Sequence, residues 1–170
     1  MKSIADSLVC RVISKIQNGI VLALLVIIPV LVTVQVILRY VLNLPLMGIE
    51  ELLLFPAIWL YFLGGSMASR ARNHIDCGVL VLYIKKEKSL ALFRLVRMVL
   101  SVFFGSWAAY WAFWFFSYSF NKWKLSDLLY FPMFFAESAL FIGIVLMVFF
   151  SIVELIDRIN EYKLARHHQD

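Results

Sequence analysis

The chain has 170 residues, of which 63% are hydrophobic and only 16% are charged. Soluble domains have about half apolar and about a quarter charged residues, so this composition excludes an ordinary soluble protein and indicates a membrane protein. The formal net charge of +5 then reflects orientation in a membrane, and no nucleic-acid partner is expected. The two cysteines are too few for a disulfide framework and lack metal-ligand spacing.

Four apolar runs predict an all-α integral membrane protein, with one four-helix domain over residues 1–170. A helix needs about 20 apolar residues to cross a hydrocarbon core of about 30 Å, and in lipid the backbone must satisfy its own hydrogen bonds. The predicted spans are residues 16–38, 52–69, 98–121 and 128–153. No cleavable signal peptide is expected, because the first run is too long and no small-residue cleavage site follows it.

The basic residues are distributed unequally between the two ends of these spans. Thirteen lie in the N-terminal tail, the loop between spans two and three, and the C-terminal tail, whereas the opposite side has Arg39, Lys122 and Lys124. The positive-inside rule then predicts that both termini and the middle loop are cytoplasmic. Within that loop, residues 77–97 mix apolar and basic side chains, which predicts an amphipathic segment at the membrane interface, against phospholipids. A simple orientation determinant with no specific lipid partner is the alternative.

The turn between the first two spans, RYVLNLPLMGIEELLLF (39–55), brings an arginine and two glutamates together. Asn43, with a proline and a glycine after it, predicts a tight turn. We expect Arg39 to pair with Glu51, either within the turn or through a larger membrane subunit, because an arginine at a membrane boundary gains from a nearby carboxylate. Glu50 is turned by about 100° around the helix and is expected to face a docking protein. Either the ion pair alone or the ion pair with a docking role explains this stretch.

Span three is rich in aromatic residues, which make up twelve of the twenty-one residues from 103 to 123. An aromatic belt explains those near the membrane interface but not the deeper Trp107 and Trp111. These two tryptophans are four residues apart and share one helix face. They predict either a contact with a larger membrane subunit or a surface that faces lipid.

Glu137 is the one charged residue within span four. Counted from the start of the apolar run, it would lie about 14 Å deep, close to the middle of the membrane. An intramembrane carboxylate indicates a functional role by default. We expect a protonated or hydrogen-bonded structural group at the interface between membrane subunits. The alternative is a proton-coupling group in a small autonomous exporter.

The sequence lacks the motifs typical of catalytic and cofactor-binding sites. It has no Gly-rich phosphate loop, no HExxH motif and no convincing nucleophile constellation, and no span carries a pair of histidines for haem. No internal repeat is evident, although transporter folds commonly show one. We therefore expect a subunit of a larger assembly that is not an enzyme and that uses no metal and no other cofactor.

Several short motifs follow one another in a recognisable order. RYVLN (39–43) closes the first span, EEL (50–52) opens the second, and WLYFLGGSMASRARNHID (59–76) follows. This order resembles the small membrane subunit of TRAP (tripartite ATP-independent periplasmic) transporters, the DctQ-like family, and the best match covers residues 36–78. The matching residues are Arg39, Asn43, Glu51, Trp59, Gly64, Arg70 and His74, with Pro132, Phe134 and Gly143 in the fourth span.

The sequence departs from the family pattern at three places. Phe141 stands where a second proline is usual, and Glu137 stands where an aromatic residue is common. The usual Trp just before the glutamate pair is absent. Any role for Glu137 would therefore be particular to this protein.

The resemblance implies a non-catalytic subunit of an importer in the bacterial inner membrane. In such transporters a periplasmic binding protein captures the solute and a large membrane subunit translocates it with sodium. The small subunit forms a heterodimer with the large one and acts as its scaffold. Known substrates are mostly organic acids, including dicarboxylates and sialic acids. Partner-docking or structural roles are then expected for Arg39, Asn43, Glu50, Glu51, Trp59, Gly64 and His74.

Overall fold

The computed structural model describes residues 8–44, 48–71 and 87–167. These residues form four helices: α1 (Leu8–Tyr40), α2 (Gly48–Arg70), α3 (Glu87–Lys122) and α4 (Phe134–His167). Each helix contains a stretch long and apolar enough to cross a membrane. Within the described ranges there is no strand, only an isolated bridge in the loop between α3 and α4. The prediction of an all-α protein with four membrane-spanning helices is therefore confirmed.

The helices extend beyond the apolar runs that predicted them. α1 has 33 residues, α3 has 36 and α4 has 34, and each is therefore roughly 50 Å long at 1.5 Å per residue. This length exceeds the hydrocarbon core of about 30 Å. The ends of these helices consequently project from the core, or the helices tilt within it.

The segment predicted to lie at the membrane interface, residues 77–97, is covered only in part. Residues 77–86 lie outside the described residues. From Glu87 onward the chain is helical, and residues 87–97 form the beginning of α3. This basic stretch is thus a continuous extension of the third membrane-spanning helix.

The four helices pack in the spatial order α1, α2, α4, α3. The main contacts are those of α1 with α2, of α2 with α4, and of α4 with α3. Consequently α2 and α4 lie in the middle of a row, and α1 and α3 lie at its two edges. The edge helices are mostly uncovered: 6% of the apolar stretch is buried in α1 and in α3, compared with 33% in α4.

Glycines let the two middle helices approach each other closely. A Cβ atom added at Gly143 of α4 would lie 2.5 Å from the Cβ of Phe62 and 3.2 Å from the backbone carbonyl of Phe62. A Cβ at Gly65 of α2 would lie 2.5 Å from the Cε of Met147. Helices in lipid commonly pack through such small residues, because van der Waals contact between backbones favours their association.

Candidate functional site

One end of the helix row is held together by the carboxylate of Glu51, in the first turn of α2. Its Oε1 accepts hydrogen bonds from the amides of Asp127 (2.9 Å) and Leu128 (3.4 Å). Its Oε2 accepts hydrogen bonds from the amides of Leu128 (3.2 Å) and Leu129 (2.8 Å). These three amides belong to the loop that joins α3 to α4. Glu51 therefore fixes that loop onto the beginning of α2.

The loop between α3 and α4, residues 123–133, is folded back on itself. The amide of Ser126 donates a 2.9 Å hydrogen bond to the carbonyl of Phe131. Trp123 and Tyr130 have φ angles of 40° and 52°, in the left-handed region that large side chains rarely adopt. Residues in such conformations persist when the surrounding structure determines them, and the bonds to Glu51 supply part of that constraint.

Arg39 is paired with Glu50 and not with the adjacent Glu51. Arg39 Nη1 lies 3.8 Å from Oε1 of Glu50, and Gln35 donates a 3.0 Å hydrogen bond to the same oxygen. The prediction that Arg39 pairs with Glu51 within the turn is wrong, because α2 directs Glu51 toward the loop after α3. The Arg39 and Glu50 side chains are 58% and 61% exposed, so their pairing contributes at most about 1 kcal/mol.

Asn43 lies in the turn that follows α1. Its φ angle is 52°, in a region where Asn is several-fold enriched among non-glycine residues. The amide of Val41 donates a 2.9 Å hydrogen bond to the carbonyl of Ile37, and the amide of Leu44 donates a 3.0 Å hydrogen bond to the carbonyl of Leu38. Asn43 therefore lets the chain leave α1 and turn toward α2.

The first turn of α4 is bonded to both of its neighbouring helices. Trp59 Nε1 on α2 donates a 2.9 Å hydrogen bond to the carbonyl of Phe135. The hydroxyl of Ser119, in the last turn of α3, donates to Oε2 of Glu137. Glu137 is the fourth residue of α4, which begins at Phe134, so the helical rise of about 14 Å counted from residue 128 does not apply. The position and partner of Glu137 are those of a link between helix ends.

The aromatic residues of α3 form two sets. Trp107 and Trp111 are 62% and 55% exposed, and Trp111 contacts Trp114 edge to face, with ring centres 6.5 Å apart. Phe116 stacks on Phe141 of α4, with ring centres 5.0 Å apart. The first set is mostly uncovered in the described chain, whereas the second set forms part of the α3–α4 contact.

Gly64 and His74 were also predicted to have structural or docking roles. A Cβ atom at Gly64 would meet nothing within 4 Å, so close helix packing uses the neighbouring Gly65. His74 lies outside the described residues, and its predicted role stays a prediction.

Polar contacts that the sequence reasoning missed join α1 to α2. Gln17, which is 3% exposed, donates a 2.9 Å hydrogen bond to the carbonyl of Leu63 and also contacts the hydroxyl of Ser66. Arg70 Nη2 donates a 3.2 Å hydrogen bond to Oδ1 of Asn18. The signal in the sequence was a pair of polar residues, Gln17 and Asn18, inside the first apolar run.

A second group of polar residues lies where α1, α2 and α4 meet, at the opposite end of the row from Glu51. The Ser69 and Ser151 hydroxyl oxygens are 3.3 Å apart, and Nη2 of Arg158 lies 3.3 Å from Oε1 of the buried Glu154. A cleft of about 40 Å³ is lined by Cys10, Ser14, Ser69, Arg70, Phe150, Val153 and Glu154. Among the residues that the structure describes, no group of three or more His, Cys, Asp or Glu could hold a metal ion.

Comparison with known families agrees with this architecture. Residues 28–161 match the profile of a family described as "Tripartite ATP-independent periplasmic transporters, DctQ component". This range includes the end of α1, all of α2 and α3 and most of α4, and it confirms the resemblance predicted from the motifs. A search of curated proteins gave no significant match. The chain is a multi-pass membrane protein, and it belongs to the family of DctQ components, the small components of TRAP transporters.

Proposed function

We propose that this chain is the non-catalytic small subunit of a sodium-coupled TRAP transporter that imports an organic acid across the bacterial inner membrane. It forms a heterodimer with the large membrane subunit, which carries the solute, and a periplasmic binding protein delivers that solute. The family match over residues 28–161 is the observation that carries this proposal. The distribution of Lys and Arg supports cytoplasmic termini.

The scaffolding role is supported by the uncovered surface of α3. Trp107, Trp111 and Trp114 are all more than half exposed, and their spacing of four and three residues places them on one face of the helix. Large aromatic side chains contribute much contact area per residue. In the proposed complex this face packs against the large subunit and widens the part of the transporter that stays fixed while the solute-carrying domain moves.

The docking role is supported by the end of the row that contains Glu51. There the turn after α1 and the loop after α3 lie together, because Glu51 joins α2 to that loop. A surface with a fixed conformation loses less conformational freedom on binding than a mobile one. In the proposed complex the binding protein docks on this end, and the exposed Arg39 and Glu50 contribute charge at the contact.

Purification from the native host tests the proposal. The chain is tagged after Asp170, extracted in a mild detergent, and its partners are identified by mass spectrometry. We expect one large membrane subunit in equal amount. Proteoliposomes containing the pair should take up an organic acid when the binding protein and a sodium gradient are both present. Uptake or export by this chain alone, driven by a proton gradient, would contradict the proposal and favour the autonomous exporter.

A further inference from the structure

The cleft between α1, α2 and α4 contains two charged groups whose hydrogen-bonding capacity is only partly used. Nη1 of Arg70 and Oε2 of Glu154 are both buried, and neither has a hydrogen-bond partner within the described residues. Glu154 as a whole is 4% exposed. Leaving a buried polar group without a hydrogen-bond partner is unfavourable, and more so when the group is charged. Two such groups in one cleft indicate an occupant that offers an acceptor to the arginine and a donor to the glutamate.

The rest of each side chain is already held in place. Arg70 Nη2 is bonded to Asn18, at 3.2 Å, and Glu154 Oε1 is paired with Arg158, at 3.3 Å. These contacts limit the rotation of the guanidinium and the carboxylate. Nη1 and Oε2 are thus preorganised for a ligand, which reduces the entropy lost when the ligand binds.

The cleft lies at the level expected of lipid headgroups. Arg70 is the last residue of α2. Glu154 follows the first residue of α4, Phe134, by twenty residues, which is roughly 30 Å along the helix axis. The hydrocarbon core is itself about 30 Å thick. When the first turn of α4 lies at one boundary of the core, the cleft therefore lies at the other boundary, next to phosphates and headgroup amines.

A phosphoethanolamine headgroup has the two groups that the cleft lacks. Its phosphate accepts a charge-assisted hydrogen bond from Arg70 Nη1, and its primary ammonium donates one to Glu154 Oε2. A cleft of about 40 Å³ exceeds the roughly 10–15 Å³ that one water-sized group needs, so it can admit a primary ammonium. A trimethylammonium group is larger and has no N–H to donate, and a glycerol headgroup has no positive charge for the glutamate.

We propose that this cleft binds the headgroup of one phosphatidylethanolamine molecule. The lipid's acyl chains lie along the uncovered surface of α1, and its headgroup joins α1, α2 and α4 at the end opposite to Glu51. The proposed lipid site depends on the membrane-spanning fold and not on the transport role. The lipid site and the proposed transport function can therefore fail separately.

The test measures how many lipid molecules stay bound to the purified full chain. Any membrane subunit that co-purifies with the chain is kept in the sample. Native mass spectrometry follows exchange into phosphatidylethanolamine, phosphatidylcholine or phosphatidylglycerol. We expect one tightly held phosphatidylethanolamine per chain, retained about tenfold better than phosphatidylcholine, since a charge-assisted hydrogen bond contributes about that factor. Free phosphoethanolamine is expected to compete only weakly, because it lacks the acyl chains.

Substitutions of Glu154 and Arg70 show which part of the headgroup each residue binds. Glu154→Gln is expected to reduce the preference for phosphatidylethanolamine over phosphatidylcholine, because the ammonium loses its charged partner. Arg70→Gln is expected to weaken retention of both lipids, because both contain the phosphate. Arg11→Gln changes an exposed arginine of α1 near the same end and should leave lipid retention as in the wild type.

Three outcomes would overturn the proposal, and all use the wild-type protein, so they hold even if a variant does not fold. The first is equal retention of the three lipids. The second is a high-resolution structure in phosphatidylethanolamine nanodiscs in which only ordered water bridges Arg70 and Glu154. Binding of free phosphoethanolamine without any binding of the lipid would also overturn it.

Discussion

The amide of Leu129 donates a 2.8 Å hydrogen bond to Oε2 of Glu51, 78 residues earlier in the chain. The same carboxylate lies in the first turn of α2, where the helix dipole favours a negative charge. Glu51 thus contributes to the start of one helix and to the loop that precedes another. Its neighbour Glu50 accepts a hydrogen bond from Gln35 and pairs with Arg39, both of which are on α1.

We expect Glu51→Ala to loosen the loop between α3 and α4, because the amides of residues 127–129 lose their acceptor. Trypsin can cleave after Lys124 within this loop, and cleavage of the Glu51→Ala protein should be faster than that of the wild type. Glu50→Ala is the matched control and should be cleaved at the wild-type rate. Equal protection in the two variants would show that the carboxylate of Glu51 does not hold the loop.

A series of three glycine substitutions tests the packing of α2 on α4. Gly143→Ala should lower the free energy of unfolding by about 1–3 kcal/mol, because its Cβ would meet the Phe62 backbone at 3.2 Å. Gly65→Ala should cost less, since the flexible end of Met147 can move aside. A Cβ atom at Gly64 would meet nothing within 4 Å, so Gly64→Ala should be neutral or slightly stabilising.

The series is measured by thermal unfolding in detergent, under conditions in which the wild type refolds. The order Gly143, Gly65, Gly64 from most to least destabilised is the expected result. A Gly64→Ala protein that is as unstable as the Gly143→Ala protein would mean that the two middle helices do not meet as described.

Substitutions at Glu137 distinguish a structural link from proton coupling. Glu137→Gln keeps an oxygen that can accept the Ser119 hydroxyl, so complex assembly and most of the uptake should be retained. Ser119→Ala should lower stability by about 1 kcal/mol, the usual contribution of one hydrogen bond. Loss of all uptake in a fully assembled Glu137→Gln complex would instead support a coupling role.

The double substitution Trp107→Ala with Trp111→Ala tests the proposed contact of α3. Buried aromatic residues often dominate the energy of an interface, so recovery of the large subunit with the tagged chain should fall. Tyr61→Ala, on the middle helix α2, removes a side chain that is 74% exposed and serves as the control. Unchanged recovery of the large subunit with the tryptophan variant would assign this face of α3 to lipid.

Reporter fusions test the orientation that the basic residues predict. A reporter joined after Asp170 should be active in the cytoplasm, and one inserted next to Asn43 should be active in the periplasm. A periplasmic signal from the C-terminal fusion would contradict the arrangement in which both termini are cytoplasmic.

The number of helices was predictable from the sequence. A helix that crosses a membrane needs a long run of apolar residues and must pair its own backbone groups, and such runs can be read directly from the sequence. The start of α4 was less predictable. Residues 128–133 are as apolar as the helix that follows, but the loop containing them is closed by its own backbone hydrogen bonds. The count of helical rise from residue 128 to Glu137 fails for that reason.

The partners of individual side chains were the least predictable part. Glu50 and Glu51 are chemically identical neighbours, and their roles depend on the rotation of α2 relative to a loop more than 70 residues away. Glu154 was missed for a related reason. It lies just beyond the fourth predicted span, where charged residues are ordinary, and its burial becomes evident only when α1, α2 and α4 are placed together.

The spatial order of the helices has a consequence for synthesis of the protein in the cell. α1 and α2 are neighbours in both sequence and space, so they can pair as soon as the second of them has been inserted. α3 has its main contact with α4 and must wait in lipid until α4 leaves the ribosome. Because α4 also joins α3 to the first pair, the last helix to be made completes the fold. A ribosome that stops before residue 134 therefore releases a hairpin and an unattached helix, which the quality-control proteases of the membrane can recognise.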